Sequence, residues 1–96
     1  MNQSSIEQPD VFLILRQIIS EETNHKLEEI SPDSHLEEDL SIEVGSEASN
    51  LFYKIIKKIN QHYEIELDPQ VFLEEDYENQ TINLLVELVT DEINLQ

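Results

Sequence analysis

The most restrictive feature of this 96-residue sequence is its shortage of turn-forming residues, since it holds one glycine, Gly45, and three prolines. A β-sandwich or β-barrel needs many tight turns, which depend on glycine, proline and Asn-Gly pairs. The shortage therefore favours helices. A chain of this length suffices for one small domain with a single core, but only marginally, because so short a chain buries a limited fraction of its surface.

Three segments place apolar residues at helical intervals. The first predicted helix starts at Pro9 and Asp10, a proline and an acid that suit a first turn. Its apolar spacing begins at Val11, and it ends near Thr23. The second runs from about residue 49 to residue 62, and Thr81 caps the last. Their core-facing positions are Val11, Leu15, Ile18 and Ile19; Phe52, Ile55, Ile56, Ile59 and Tyr63; and Ile82, Leu85, Val86, Val89 and Ile93.

A short third helix is predicted from Pro69 to Leu73, with Asp68 as its N-cap. The sequence thus predicts an all-α fold, a small four-helix bundle with three long helices and one short third helix. One domain is expected over residues 7–95, after a frayed N-terminus at residues 1–6. Between helices one and two, a long acidic segment is expected to form an ordered loop pinned to the core by Leu27, Ile30, Leu36, Leu40, Ile42 and Val44.

The charge of the chain limits its partners. It carries 22 acidic and five basic residues, which gives a net charge of −17. Nucleic acids and anionic membranes need positive counter-charge, so neither is an expected partner. Basic protein surfaces, in contrast, are attracted. The other interpretation is that the acidity serves solubility alone.

The sequence lacks the usual signals for metal binding, catalysis and export. It contains no cysteine, and its three histidines have no ligand-like spacing, so no metal site is expected. The acidic segments fail the EF-hand pattern because its glycine is absent. GSEAS does not match the nucleophile elbow GxSxG. The absence of this motif favours a protein that is not an enzyme. With no secretory signal and no apolar run that could span a bilayer, a cytoplasmic location is expected.

The stretch GSEASNLFYKIIKK, residues 45–58, leads from small polar residues into the second predicted helix. A helix N-terminus presents unpaired N–H groups and a partial positive charge, which stabilise a phosphate on a serine oxygen. Serine is also among the commonest N-cap residues, so Ser46 or Ser49 has a purely structural interpretation as well. Position alone leaves both interpretations open.

The order of segments across residues 8–93 resembles the acyl carrier protein family. The resemblance rests on ISPDSHLEEDL, a serine opening SNLFYKIIKKINQHY, then EIELDPQ, and finally TINLLVELV. In this family the serine carries a 4′-phosphopantetheine arm, whose thiol holds acyl groups as thioesters. A phosphopantetheinyl transferase installs the arm from coenzyme A with magnesium. A chain without cysteine fits this chemistry, because the thiol is added.

The resemblance implies a four-helix bundle of acyl-carrier type and a non-catalytic carrier. Such a carrier delivers acyl, polyketide or peptidyl intermediates to acyl-transferring or condensing synthase enzymes. The pathway would be fatty acid, polyketide or nonribosomal peptide biosynthesis, and the protein would be a cytoplasmic monomer.

The attachment serine is chosen by the helical register of the apolar residues that follow it in the family. Counted from Ser49, the matching positions are Tyr53, Ile56, Ile59 and Tyr63, all apolar or aromatic. Counted from Ser46, the same intervals fall on Asn50, Tyr53, Ile56 and Asn60, so two of the four are polar. Ser49 is therefore the expected 4′-phosphopantetheine site, with Ser46 as the weaker candidate.

The motif around Ser49 departs from the family pattern. Eight residues, SIEVGSEA, separate Leu40 from Ser49, a longer spacer than in the family. Ala48 stands where the family has aspartate, and Asn50 stands where it has leucine. Glu47 or Glu43 would then take the electrostatic role of the missing aspartate.

The second predicted helix also departs from the family in charge. Family members present an acidic face there to basic patches of their enzymes, whereas three of this chain's five basic residues lie on this helix. The lysines either pair with nearby acids or meet partners of different charge patterning. The residues assigned to partner binding are Asn50, Tyr53, Lys54, Lys57 and Lys58. An alternative function is an unmodified acidic protein-interaction module that keeps the carrier fold without the prosthetic group.

Overall fold

The computed structural model describes residues 7–95, which form four α-helices: α1, Gln8–Thr23; α2, Leu51–Tyr63; α3, Pro69–Leu73; and α4, Ile82–Asn94. Single 3-10 turns occupy Leu27–Glu29 and Tyr77–Asn79. Residues 7–95 contain no β-strand, although an isolated antiparallel bridge joins His35 to Thr81. The prediction of an all-helical bundle with three long helices and a short third is confirmed. The segment expected to be frayed, residues 1–6, lies outside the described residues.

Buried stripes on the three long helices meet in one core, with α1 packed against both α2 and α4. On α2 the stripe consists of Phe52, Ile55, Ile56 and Ile59, each at most 1% exposed. Burying one such side chain contributes roughly 1.5–3 kcal/mol. The ring of Phe52 also lies 5.0 Å from that of Phe72, which joins α2 to α3. These contacts fix the rotation of α2 and so determine which of its residues face solvent.

Apolar side chains hold the long loop between α1 and α2 against this core, as expected. Ile30, Leu36, Leu40 and Ile42 are each at most 2% exposed. The expectation for Leu27 was wrong: its side chain is 45% exposed, because it lies in a 3-10 turn whose residues all face solvent. The anchored loop delivers the chain to the start of α2 in one defined path.

The middle of the loop is fixed by His35. Its Nε2 donates to the carbonyl oxygen of Tyr77 at 2.7 Å, while its Nδ1 accepts the backbone N–H groups of Glu37 and Glu38 at 3.2 and 3.1 Å. A ring that donates at one nitrogen and accepts at the other is the Nε2–H tautomer. The loop is thereby attached to the 3-10 turn that precedes α4.

His25 ties the end of α1 to the same loop. Its Nε2 lies 2.8 Å from the carbonyl oxygen of Leu40, and its Nδ1 lies 3.2 Å from Oε1 of Glu29. Because both neighbours are acceptors, only the protonated ring donates to both. The Leu40 carbonyl and the Glu29 carboxylate raise the pKa of His25, and hydrogen bonds from the Lys26 N–H and from His25 lower the pKa of Glu29.

These shifts predict a pH-dependent contribution to stability. Since the pKa of His25 is raised in the folded state, its contribution is complete below the unfolded pKa of about 6.5 and is lost as pH rises through the folded pKa. The lowered pKa of Glu29 means that its contribution is lost only as pH falls through that folded value. We expect the difference in unfolding free energy between wild type and His25→Gln to shrink from pH 6 to pH 8.

Urea unfolding at closely spaced pH values measures this difference. His62→Gln, which changes an exposed histidine of α2, is the matched control and should track wild type throughout. A wild-type advantage over His25→Gln that stays constant from pH 6 to pH 8 would contradict the assignment.

Candidate functional site

The segment that leads into α2 encloses an open groove of about 580 Å³, lined by Ser41 and most of residues 43–51 and called here the loop groove. Ser46 and Ser49 both line it, and both are exposed. Its ionisable side chains are those of Glu43 and Glu47. The loop groove therefore brings together the two candidate serines and the two candidate acids named from the sequence.

Asn50 holds this groove in place. Its Oδ1 accepts the backbone N–H of Tyr53 at 3.2 Å, and its Nδ2 donates to the carbonyl oxygen of Glu43 at 3.0 Å. Its own N–H donates to the carbonyl oxygen of Glu47 at 2.9 Å. One side chain thus caps α2 and fastens the preceding loop to it, and this arrangement is called here the Asn50 clamp.

Gly45, the one glycine of the chain, lies against the side chain of Asn50. A Cβ at Gly45 would lie 2.9 Å from Nδ2 of Asn50 and 3.2 Å from its Cγ, both closer than ordinary van der Waals contact. Gly45 does not have a positive φ, so the position requires space rather than an unusual backbone conformation. Gly45 therefore allows the loop to approach the Asn50 side chain.

The start of α2 differs from its predicted position. The helix was expected from about Ser49, but it begins at Leu51, because the side chain of Asn50 provides the N-cap. Ser49 lies in the turn immediately before the cap, with its side chain exposed. It remains within one residue of a helix N-terminus, where first-turn N–H groups and the helix dipole favour negative charge.

The residues that follow Ser49 and Ser46 at the intervals of the carrier family lie in different environments. From Ser49, Ile56 and Ile59 are core residues, while Tyr53 and Tyr63 are half-buried. From Ser46, the two polar positions are the helix cap Asn50 and Asn60. The Asn60 amide is bonded to both the N–H and the carbonyl oxygen of Leu67, at 3.0 and 3.1 Å.

The lysines of α2 have different surroundings. Nζ of Lys58 lies 2.6 Å from Oε2 of Glu22 on α1, and this bond raises the pKa of Lys58. Pairing with a nearby acid, one of the two interpretations, thus holds for Lys58. Lys54 and Lys57 are exposed, and neither takes part in a salt bridge with another of the described residues.

A second groove was not anticipated from the sequence. It measures about 350 Å³ and lies between α2 and the chain that leads into α3, so it is called here the α2–α3 groove. Its lining is mainly apolar, and its charged members are one base and one acid, Lys57 and Glu66. The apolar and aromatic members are Tyr53, Ile56, Ile65, Leu67 and Pro69. Its signal in the sequence is the alternation of Ile65 and Leu67 with acids, which is typical of a short extended piece but does not indicate what that piece packs against.

Sequence reasoning also missed the Asn50 clamp. Asparagine is among the most favoured N-cap residues, so this preference would have found the cap. The second bond, to the carbonyl oxygen of Glu43, depends on the path of the loop and has no sequence signal.

Metal-binding clusters and membrane-spanning helices are both absent from the described part of the chain. Among residues 7–95 no group of three or more His, Asp or Glu side chains is arranged to hold a metal ion. In the same range, no helix has the length and apolar character needed to cross a membrane. Comparisons with protein-family models, with curated proteins and with solved structures give no match for this chain.

The Asn50 clamp can be tested by mutation. Asn50→Ala removes the cap, worth about 0.5–2 kcal/mol, and the bond to Glu43, worth about 0.5–1.5 kcal/mol. We expect a loss of about 1–3 kcal/mol in unfolding free energy. Asn50→Asp keeps the accepting oxygen and loses the donor, so its loss should be smaller. Denaturant titration measures both.

A double-mutant cycle tests the close approach of Gly45. Gly45→Ala should destabilise the wild-type chain, because the added Cβ displaces the Asn50 amide. In the Asn50→Ala background the obstructing atoms are gone, so the same substitution should have little effect. Equal effects of Gly45→Ala in the two backgrounds would show that the contact does not limit the loop.

Proposed function

We propose that this protein is a carrier of the acyl carrier type, with a 4′-phosphopantetheine arm on Ser49. The observation that carries the proposal is the position of Ser49: exposed, in the loop groove, one residue before the cap of α2. The buried stripe of α2, which begins at Phe52, keeps this N-terminus at the surface. The resemblance of residues 8–93 to the family supports the same assignment.

The groups around Ser49 suit a phosphodiester on its oxygen. The N-terminus of a 13-residue helix stabilises the negative charge, and the open loop groove leaves room for the arm to leave the surface. In the installing reaction the Ser49 Oγ–phosphorus bond forms, the diphosphate bond of coenzyme A breaks, and the nucleotide portion leaves. The thiol at the end of the arm would then hold the cargo as a thioester.

The transferase has to remove the proton from the hydroxyl group of Ser49. Among residues 7–95 no histidine or lysine lines the loop groove as a base, since its ionisable side chains are those of Glu43 and Glu47. We assign them the role of the family's aspartate, namely to attract the magnesium ion that the transferase uses. The residue before Ser49, Ala48, has no side-chain oxygen for this role.

The attachment site is tested by incubating the protein with coenzyme A, magnesium and a permissive phosphopantetheinyl transferase, followed by intact-mass measurement. We expect one added 4′-phosphopantetheine group on wild type and on Ser46→Ala, and none on Ser49→Ala. Ser46→Ala is the matched control, because it removes a second exposed hydroxyl of the same groove. Modification that follows Ser46 would contradict the assignment, and no modification of any variant would favour the unmodified module.

The acidic residues of the groove give a rate prediction. Glu47→Gln and Glu43→Gln should each slow the modification of Ser49 under limiting transferase, because each removes an attraction for magnesium. Glu28→Gln, an exposed acid in the 3-10 turn after α1, controls for the change in net charge. Equal rates for all three variants would exclude a role for the groove acids.

A second candidate function, the unmodified interaction module, is favoured by one observation. Lys54 and Lys57 are exposed without a salt bridge to any described residue, on a helix that also borders the α2–α3 groove. Such a surface can bind a protein whether or not Ser49 carries an arm. Asn50, assigned to partner binding from the sequence, has its amide committed to the clamp, which leaves Tyr53 and the lysines to contact a partner.

A further inference from the structure

The net charge of α2 is opposite in sign to the net charge of the rest of the chain. Helix α2, LFYKIIKKINQHY, holds three lysines and no acid. Since the whole chain has five basic and 22 acidic residues, the remainder has two basic and 22 acidic residues. The helix is thus +3 and the remainder −20. A helix of 13 residues free of acid stands out in a chain of this composition.

Lys54 is also placed against the preference of the helix dipole. Acids are favoured near a helix N-terminus, and cations near the C-terminus. On α2 the first turn has no acid, and Lys54 directly follows it, with its N–H bonded to the Asn50 carbonyl oxygen at 3.1 Å. Helix stability therefore does not account for a lysine at this position, whereas a role in binding does.

The orientation of α2 presents two of its lysines outward. With Phe52, Ile55 and Ile59 buried, helical geometry places Lys54 and Lys57 near the middle of the exposed face. Lys58 lies on the side of α1, where Glu22 neutralises it. Lys57 lies on the opposite side, at the border of the α2–α3 groove with Tyr53.

We propose that this face binds an acidic segment of a partner protein. Carboxylates of the partner pair with Lys54 and Lys57, and an apolar side chain enters the α2–α3 groove against Tyr53, Leu67 and Pro69. Charge complementarity identifies the partner as acidic, and the apolar lining of the groove requires an apolar anchor between its acids. The proposal does not rest on the arm at Ser49.

Extended polyanions fit this surface less well than a short acidic segment. The helix is about 20 Å long, and Glu43 and Glu47 precede it while Glu64 and Glu66 follow it. A nucleic acid or an anionic membrane would place negative charge against all of these acids as well as against the lysines. In the proposed complex only the apolar anchor lies beside Glu66, which lines the α2–α3 groove, while the partner's carboxylates contact Lys54 and Lys57. A second copy of the chain is also disfavoured, because both copies carry a net charge of −17.

The test is an NMR titration of the ¹⁵N-labelled full chain, without an arm, at low salt. The probe is a blocked peptide in which glutamates flank leucine and phenylalanine, and its counterpart has lysine in place of each glutamate. We expect the acidic peptide to shift amide signals of α2 and of residues 65–68, with little effect from the basic peptide. Added salt should reverse the shifts.

Charge-reversal variants locate the contact. Lys54→Glu and Lys57→Glu should each weaken binding of the acidic peptide about two- to fivefold, as expected for the loss of one exposed charge pair. Lys26→Glu makes the same charge change outside α2 and should leave binding unchanged. Circular dichroism should show all three variants folded, and Lys54→Glu should unfold at no lower temperature than wild type, because it agrees with the helix dipole.

Several results would overturn the proposal: no shift on α2 with the acidic peptide, equal binding of the basic peptide, an equal effect of Lys26→Glu, or equal shifts with single-stranded DNA of the same charge. Ser49→Ala should bind the peptide as wild type does. Failure of Ser49 to accept an arm and failure of this surface to bind an acidic segment are therefore separate outcomes.

Discussion

The side chain of Asn50 controls how this small bundle presents its candidate site. Its oxygen caps α2 and its nitrogen holds the carbonyl oxygen of Glu43, so the start of the helix and the end of the long loop have one common anchor. The anchor forms only because Gly45 has no side chain to displace it. Ser49 lies between the two attachment points, exposed at a fixed distance from the helix N-terminus. The proposed carrier chemistry depends on this placement.

The loop that reaches Asn50 is itself held by separate elements. Leu36, Leu40 and Ile42 anchor it in the core, and His25 and His35 bond its backbone to the end of α1 and to the turn before α4. An apolar anchor resists displacement at any pH, whereas the bond from His25 to Leu40 weakens when the ring loses its proton. The loop groove therefore rests on apolar anchors that do not depend on pH and on a hydrogen bond from His25 that does.

Periodic features of the sequence were predictable and individual contacts were not. The helices, the caps Asp68 and Thr81, and most loop anchors follow from apolar spacing and cap preferences, which act over a few residues. The bond from Asn50 to the carbonyl oxygen of Glu43 and the bond from His25 to the carbonyl oxygen of Leu40 depend on the path of the loop, and a single sequence does not encode that path in its spacing. The position of Ser49 is an intermediate case. The helical register of the following apolar residues selected Ser49, but the helix starts two residues later, because the side chain of Asn50 forms the N-cap.

The central claim is that Ser49 carries the arm, and fragment-ion mapping of the modified chain tests it most directly. Cleavage after lysine leaves Ser46 and Ser49 in one peptide, residues 27–54, so the fragments between them locate the added group. The account predicts that fragments ending before Ser49 have unmodified mass and that every longer fragment carries the 4′-phosphopantetheine group. An added group already present in fragments that end at Glu47 or Ala48 would contradict it.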